Sequence, residues 1–519
     1  MASFQERFGI SFIALISVVL GVFMAILDST VVNVAIPKMM SVFAATQNDI
    51  EWVLTAYLLV TGMLTPISGY LGDRFGQKRI YMIALAIFTI GSALCGLSWS
   101  TSSIIIFRVI QAVGGAMLMP VSMTILFSMS KPERRGTIMG IWGIALMFAP
   151  ALGPTLSGYL VEYVNWRLIF YINVPVGIVS LLLVAATIPA IKGKMSEKLD
   201  VPGFATSLIG FFCILYALSE APTDGWGSIT IISFLVAGLV FLALFVAIEL
   251  TATNPMLDLR LLKRKVYLVS LIASSLLNVA MLGVLFILPI FLQDYVGLSP
   301  LQTGLLVLPG ALITGVLMPI SGNLFDRIGA RPLALIGLAV MALTTLYMTE
   351  LNIYWTMGMI VIIYMLRSAG MGLAMMPIST AGMNDVPRHL ISRATALQNT
   401  TRNVAGSIGT AYLSTVMQTD TAQHLMSFTG RLSDQALQSI HLGGSMPSVF
   451  GATSAVQVQQ LLGFLQQWAF TQGMKDAFFV AVIFAALAWV SVLFIGGKKA
   501  PVGTAEGAKG GSSHMAVME

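Results

Sequence analysis

Two charged residues, Asp28 and Arg108, lie inside long apolar stretches of the sequence. An acid within a membrane-spanning helix costs on the order of 2.5–3.5 kcal/mol by insertion scales, so it usually faces a cavity or a partner group. Such a carboxyl group can bind a proton and release it again, because burial and a neighbouring cation change its proton affinity in opposite directions. Alternatively, Asp28 is a static buried acid whose hydrogen bonds come from Asn33 or from the backbone.

Asp28 and Arg108 are expected at a similar depth in the same half of the membrane. Asp28 lies nine residues before Pro37, or roughly 13 Å below the membrane boundary. Arg108 lies about five residues, or roughly 8 Å, into an apolar stretch that runs the opposite way. Depth does not determine how either helix is rotated about its own axis, so contact between Asp28 and Arg108 is not predicted. Arg108 either tunes the acid or braces backbone carbonyls, and Gln111, one turn away, could share either role.

The elements that must position these residues are membrane-spanning helices. The chain of 519 residues is 57% hydrophobic and 10% charged, whereas soluble domains carry about 25% charged residues. A helix needs about 20 mostly apolar residues to cross the ~30 Å hydrocarbon core. The sequence therefore predicts an all-α polytopic membrane protein. Its fourteen predicted spans are residues 11–36, 51–71, 80–100, 103–128, 137–161, 168–190, 203–220, 229–250, 266–292, 303–324, 332–350, 355–382, 397–418 and 476–496.

The distribution of basic residues supports this number of spans. Short cytoplasmic loops hold an excess of Lys and Arg, and with a cytoplasmic N-terminus most of the 28 basic residues fall in cytoplasmic segments. Merging or splitting one span would reverse every later loop. We therefore expect a multi-pass protein of the cell (inner) membrane with both termini in the cytoplasm.

The composition also excludes several classes of function. Cys95 and Cys213 fall inside apolar stretches and the four histidines lie in loops or the tail, so neither a disulfide framework nor a metal site is predicted. The loops contain no nucleotide-binding motif and no catalytic triad. The net charge of +6 is explained by the basic loops rather than by nucleic acid. We expect no enzyme and no cofactor, and an ion gradient as the energy source.

A charged loop at residues 69–79 has a weaker copy at residues 322–331. The copies follow spans 2 and 10, whereas two parallel six-span halves would place them six spans apart. Two spans are therefore inserted between the halves. The predicted domains are residues 1–200 (six spans), 201–255 (inserted spans 7 and 8), 256–500 (six spans, with a long outer loop at 419–475) and 501–519 (a tail in which 510–515 look like a vector remnant). Within the outer loop, apolar residues at helical spacing over 456–470 predict a surface amphipathic helix or, alternatively, a substrate lid.

Five motifs resemble those of the major facilitator superfamily, in particular its fourteen-span drug:proton antiporter branch (EmrB/QacA-like). Residues 69–79 resemble motif A, residues 108–116 resemble motif B, and residues 153–158 resemble the antiporter motif C. Residues 27–37 and 166–177 are also typical of the branch. Ser157 departs from motif C, which prefers glycine at that position.

The resemblance implies a major facilitator fold of two six-helix halves plus two inserted helices. It also implies a proton-coupled antiporter that exports small amphipathic compounds or drugs from the cytoplasm by alternating access. In that scheme Asp28 carries the proton and Arg108 sets its affinity, while Gly153 and Pro154 bend span 5 where the halves meet. The motif A residues form a cytoplasmic latch against span 13, with a mirror copy in the second half; the latch residues are Gly69, Asp73, Arg74, Asp326 and Arg327.

The substrate is less defined by the sequence. We expect a cavity near the membrane midplane, lined by Met24, Asn33, Tyr57, Gln111, Trp142 and Phe148. Relatives that expel dications carry an added acid in span 10, and residues 303–324 contain none, which favours neutral, weakly basic or monocationic compounds. A dedicated exporter of a lipid, a siderophore or a self-made antibiotic is an alternative, as is a non-transporting sensor. The expected partners are the substrate, protons, the lipid bilayer and, if the cell has an outer membrane, a periplasmic adaptor.

Overall fold

The computed structural model describes residues 2–190, 193, 200–252, 255–351, 355–441 and 455–495. These residues form helices and no strand. The helices are α1 Ala2–Phe8, α2 Phe12–Phe43, α3 Gln47–Leu64, α4 Ile67–Phe75, α5 Gln77–Gly96, α6 Thr101–Met129, α7 Arg135–Tyr163, α8 Leu168–Tyr171, α9 Asn173–Thr187, α10 Val201–Asp224, α11 Ile229–Thr251, α12 Lys265–Ile290, α13 Pro300–Ile328, α14 Ala330–Met348, α15 Met357–Asn384, α16 Ile391–His441 and α17 Ala455–Val492.

The number of membrane spans agrees with the prediction only in part. Within the described residues, twelve helical segments are long and apolar enough to cross a membrane. Helices α3 and α4 give a thirteenth if they form one span, bent by 57° at Pro66, which lacks the N–H that would continue the helix. The predicted span 397–418 lies in α16, which is not among these segments. The all-α polytopic fold is confirmed, and the total of fourteen spans stays a prediction.

The helices pack in two groups. Helices α2–α9 pack on one another, and so do helices α12–α17, although α7 and α13 each make their largest contact across the groups. The most extensive contact between the groups joins α7 to α13. Gly136 near the start of α7 lies against Gly322 near the end of α13, and Gly158 near the end of α7 lies against Leu301. The two helices are therefore antiparallel neighbours over nearly their whole length.

Helices α10 and α11, the predicted insertion, form a hairpin beside both groups. Helix α10 packs on α3 of the first group and on α16 of the second. The Trp226 Nε1 atom donates a hydrogen bond to Thr415 Oγ1 at 2.8 Å, and the rings of Trp52 and Tyr216 stack at 6.2 Å. The hairpin thus lies across the seam between α3 and α16 rather than inside either group.

The segment predicted as a long outer loop is helical wherever it is described. Helix α16 continues to His441 and α17 begins at Ala455. His424 Nε2 lies 2.9 Å from Asp476 Oδ2 and ties the two helices together. The side chains of residues 455–464, which include part of the predicted amphipathic helix or lid, and the tail 501–519 lie outside the described part of the chain.

The loops with the predicted cytoplasmic charges lie together at one end of the bundle. They include residues 73–79, 131–136 and 326–331. Contacts join residues 131–136 to residues 326–331 and to Asn384 at the end of α15, and they join residues 73–79 to the first turn of α16. We call this the basic end.

Cysteine labelling tests the predicted orientation. In a background without Cys95 and Cys213, Gly227→Cys and Ser445→Cys are expected to react with an impermeant maleimide added outside intact cells, because the positively charged loops are held inside. Gly227 is exposed in the α10–α11 turn with open space around it, whereas Ser445 lies outside the described residues. Labelling of either cysteine only from the cytoplasm would contradict the fourteen-span topology.

Candidate functional site

Asp28 of α2 and Arg108 of α6 form a buried ion pair. Arg108 Nη1 donates to Asp28 Oδ2 at 2.5 Å, and neither side chain is exposed to solvent. Taking either charge alone out of water costs several kcal/mol, and mutual attraction with additional hydrogen bonds can offset that cost. The sequence did not determine how each helix is rotated about its axis. In the structure, both helices are rotated so that the two charges are in contact.

Two amide side chains complete the environment of the carboxylate. Gln111 Nε2 and Asn173 Nδ2 each donate to Asp28 Oδ1 at 2.9 Å. Arg108 Nη1 also donates to Gln111 Oε1 at 2.8 Å, and its Nε donates to the Val53 carbonyl oxygen at 3.2 Å. The carboxylate joins helices α2, α6 and α9, and Arg108 extends the network to α3.

Asn173 was not predicted as a partner of Asp28. It is the first residue of α9, and its Nδ2 also donates to Ser92 Oγ at 3.0 Å, which in turn donates to the Phe170 carbonyl oxygen at 2.9 Å. The predicted alternative partner, Asn33, is instead exposed. The sequence did contain one indication of this role. Asn173 is a polar residue in a mostly apolar part of the stretch 166–177, which resembles a motif of the branch.

The predicted cavity residues divide into a sealed set and an accessible set. Tyr57 is buried with its ring centroid 4.1 Å from Arg108 Cζ, a cation–π distance. Gln111 belongs to the network around Asp28. Met24 and Trp142 are also buried, with Trp142 Nε1 donating to an α6 hydroxyl at 3.0 Å. The accessible set is Asn33, which is exposed, and Phe148, which is partly exposed.

The Gly153–Pro154 segment of α7 lies between α2 and α13. A side chain at Gly153 would meet Thr30 of α2, while Pro154 lies against Gly304 of α13. Ser157, the departure from motif C, donates to the Val31 carbonyl oxygen at 2.6 Å. The segment thus connects the helix that carries Asp28 with the second helix group.

At the basic end, Asp326 of α13 caps the start of α7. Its carboxylate accepts from Gly136 N at 3.0 Å, from Thr137 N at 3.1 Å and from Thr137 Oγ1 at 2.8 Å. These N–H groups have no partner within the helix, and the helix dipole favours an anion there. The backbones of Gly136 and Gly322 approach so closely that neither position has room for a side chain. The predicted mirror copy of the latch therefore makes a more extensive contact between the groups than Asp73 of the motif A loop does. Arg327, the other latch residue predicted in this copy, is exposed.

The motif A loop makes the second contact between the groups at this end. Asp73 Oδ2 lies 3.6 Å from Arg393 Nε in the first turn of α16, and Gln77 donates to Ser392 Oγ. A side chain at Gly69 would lie 2.7 Å from the Ser392 carbonyl oxygen. Arg74 instead donates within its own helix group, to a tyrosine hydroxyl at 2.8 Å. Two acid-centred contacts thus hold the groups together at the basic end.

Removing the Asp326 contact is expected to open the basic end. We expect Asp326→Ala to raise the rate at which Ser392→Cys, which is buried between the groups, reacts with a maleimide added on the basic side by about tenfold or more. Hydrogen bonds to a charged group contribute about 1.5–3 kcal/mol each, and about 1.4 kcal/mol corresponds to tenfold.

The matched control for this measurement is Asp200→Ala. Asp200 caps only its own helix, accepting from Gly203 N at 2.8 Å. An unchanged labelling rate in Asp326→Ala, or an equal rise in both variants, would contradict a latch role for Asp326.

A multi-span helical fold of two packed helix groups, with a buried ion pair inside the first group, is typical of a membrane transporter. The family model described as "Major Facilitator Superfamily" matches residues 18–410. The chain therefore belongs to the major facilitator superfamily.

Named relatives and solved structures agree with this assignment. The chain is 38% identical to the uncharacterized MFS-type transporter YhcA of Bacillus subtilis (strain 168), over 93% of this chain and 92% of that protein. It is 31% identical to the lincomycin resistance protein LmrB of the same organism, over 86% of this chain and 94% of that protein. Among solved structures, the human organic anion transporter MFSD10 superposes with a TM-score of 0.61 and 13% identity, covering 92% of this chain and 99% of that one, which shows a shared fold.

Proposed function

We propose that this transporter is a proton-coupled antiporter that exports small amphipathic compounds from the cytoplasm, with Asp28 as the proton carrier. The basic end would face the cytoplasm, and both termini would lie on that side of the cell membrane. The observation that carries the proposal is the four-residue network of Asp28, Arg108, Gln111 and Asn173, sealed from solvent inside the first helix group.

The network is complementary to the ionised form of Asp28. An ionised carboxylate only accepts hydrogen bonds, and here its two oxygens face three donors. A protonated carboxyl group would have to donate one bond. The neighbouring acceptor, Gln111 Oε1, has two lone pairs and already accepts from Arg108 and from Cys95 Sγ. Binding of a proton therefore requires these side chains to rearrange, which links protonation to the relative positions of α2, α6 and α9.

The closed basic end fits one stage of an exchange cycle. With the groups held together there by Asp73 and Asp326, and with Asp28 in a site built for its ionised form, the protein would be waiting for a proton from outside. Protonation would break the Asp28–Arg108 pair and favour opening at the basic end. Release of that proton into the cytoplasm would then allow a substrate to be exported.

The names of two relatives support export as the direction of transport and drug-like compounds as the substrate class. LmrB is named for lincomycin resistance, and a protein of Streptomyces glaucescens that is 31% identical to this chain is named for tetracenomycin C resistance and export. A dedicated exporter of a lipid, a siderophore or a self-made antibiotic would use the same fold. A non-transporting sensor would not need a buried ion pair with matched donors, which favours transport.

Purified protein in proteoliposomes tests this function. An interior-acid pH gradient is expected to drive uptake of rhodamine 110 above the level in protein-free liposomes, and nigericin, which dissipates the pH gradient, is expected to abolish this difference. A potassium diffusion potential set with valinomycin, without a pH gradient, serves as the control. Uptake that is equal with and without the pH gradient would contradict proton coupling.

A further inference from the structure

Arg402 lies inside the predicted span 397–418, where the fully buried first turns of α16 give way to partly exposed residues. It follows Leu397, the first residue of that span, by five residues, which is roughly 8 Å along the helix. Residues 391–400 are all buried, whereas residues 401–405 are all partly exposed. Arg402 is thus partly exposed although it lies inside a predicted span.

The guanidinium group of Arg402 points between the two helix groups. Its Nη2 atom lies 3.9 Å from the Sδ atom of Met119 on α6. A thioether is a weak acceptor, and a guanidinium group carries five N–H donors. Within the described residues, no carboxylate and no other hydrogen-bond acceptor contacts this side chain.

The other two arginines inside predicted spans have firmer partners. Arg108 has Asp28 and Gln111. Arg367, which is 2% exposed, donates to Thr345 Oγ1 at 3.1 Å and to the Ala280 carbonyl oxygen at 2.8 Å. Arg402 differs from both because it is partly exposed and lacks a strong acceptor. It is therefore the intramembrane cation that remains available to a solute.

The acids in the second-group spans lie at span ends: Glu350 ends the predicted span 332–350, and Asp476 begins the predicted span 476–496 and contacts His424. Residues 266–292, 303–324, 357–382 and 397–418 contain no Asp or Glu. In the first group, Asp28 is engaged by Arg108. Since an uncompensated cation inside a span is costly, the missing negative charge would be favourable if a bound solute brought it.

We propose that Arg402 recognises an acidic group of the substrate, such as a carboxylate, phenolate or sulfonate on an apolar body. The proposal rests on the export function above and defines the substrate class of that transporter. Met119, which contacts Arg402, and the partly exposed Met147 and Met281 offer adaptable contacts for the apolar body. This class differs from the neutral, weakly basic or monocationic compounds expected from the sequence, because a cationic solute would meet Arg402 at like charge.

Rhodamine 110 and its methyl ester, rhodamine 123, test this recognition because they differ by one free carboxyl group. We expect wild-type protein in phosphatidylcholine nanodiscs to bind rhodamine 110 about tenfold or more tightly than rhodamine 123 by fluorescence anisotropy, as a hydrogen bond to a charged group would give. Arg402→Gln should remove the preference by weakening only rhodamine 110 binding, and Arg402→Lys should keep much of it. The thermal unfolding of each variant serves as the control for folding.

Three results would overturn the assignment. The first is that wild-type protein binds the ester as tightly as the acid, or binds neither dye. The second is that Arg402→Gln weakens the binding of both dyes equally. The third is competition by phosphatidylglycerol added to the nanodiscs, which would assign the cation to a lipid headgroup instead of a solute. The two proposals can fail separately. If the protein prefers rhodamine 110 in an Arg402-dependent way but transports nothing in proteoliposomes, the anion site stands and the export function is rejected.

Discussion

Asp28→Asn is expected to abolish the accumulation of substrate against its gradient while leaving energy-independent exchange intact. Asparagine has nearly the same size as aspartate but cannot bind and release a proton. If one proton is exchanged for each neutral substrate, a pH gradient of one unit supports an about tenfold concentration ratio, since one pH unit corresponds to about 1.36 kcal/mol. In the variant this ratio should fall to about one. The measurement is uptake into proteoliposomes with and without the pH gradient.

Exchange of labelled for unlabelled substrate separates loss of coupling from loss of folding. Exchange needs binding and alternating access but no net proton movement, so Asp28→Asn should retain it. Asp258→Asn provides a matched control, because Asp258 is a buried acid outside the predicted spans that accepts from Arg260 N at 3.1 Å. Gradient-driven accumulation in Asp28→Asn equal to that of wild type would show that another group carries the proton.

Arg108→Met is expected to destabilise the protein by about 3–5 kcal/mol. Breaking a buried ion pair by removing one partner leaves an uncompensated charge in a low-dielectric site. Here Asp28 has no exposed surface and would keep only its two amide donors. The Val53 carbonyl oxygen would also lose a donor. Unfolding in mixed micelles by titration with sodium dodecyl sulfate measures the loss.

The double variant Asp28→Leu, Arg108→Met distinguishes an uncompensated charge from lost packing. Replacing a buried ion pair with apolar residues of similar volume is often neutral for stability. The double variant should therefore regain most of the stability that Arg108→Met loses. The remaining loss would come from the amide groups of Gln111 and Asn173, which no longer have the carboxylate as an acceptor. The double variant should still be unable to couple transport to protons. Strictly additive losses from the two substitutions would contradict a direct interaction between Asp28 and Arg108.

The sequence predicted the features that depend on composition, depth and short motifs. Apolar stretches of about 20 residues specify spans wherever they occur, and the helical multi-span fold followed from them. Counting 1.5 Å per residue also placed Asp28 and Arg108 at similar depth. The copy of the charged loop at 322–331 indicated a second contact at the same end of the bundle, and Asp326 makes one there.

Features that depend on helix rotation and tertiary packing could not be predicted. Rotation decides that Asn173, rather than Asn33, meets Asp28, and the sequence pattern does not determine it. Pairing across the groups likewise decides that Asp326 caps the start of α7 while Asp73 meets Arg393.

The polar stretch of α16 raises the same difficulty for counting spans. Residues 398–403 are Gln-Asn-Thr-Thr-Arg-Asn, which lowers the hydropathy of the predicted span 397–418. Packing against other helices allows such residues at membrane depth, because polar side chains that face the bundle interior avoid lipid. One of them, Arg402, is the residue for which a substrate role is proposed.

The most direct test of the role of Asp28 is substrate-driven proton movement in proteoliposomes that contain a pH-sensitive dye. In wild type, an outward substrate gradient with no initial pH difference should acidify the interior, because each exported substrate is exchanged for entering protons. Asp28→Asn reconstituted at the same density should release substrate without acidification. Equal acidification in the two preparations would contradict the assignment of Asp28 as the proton carrier.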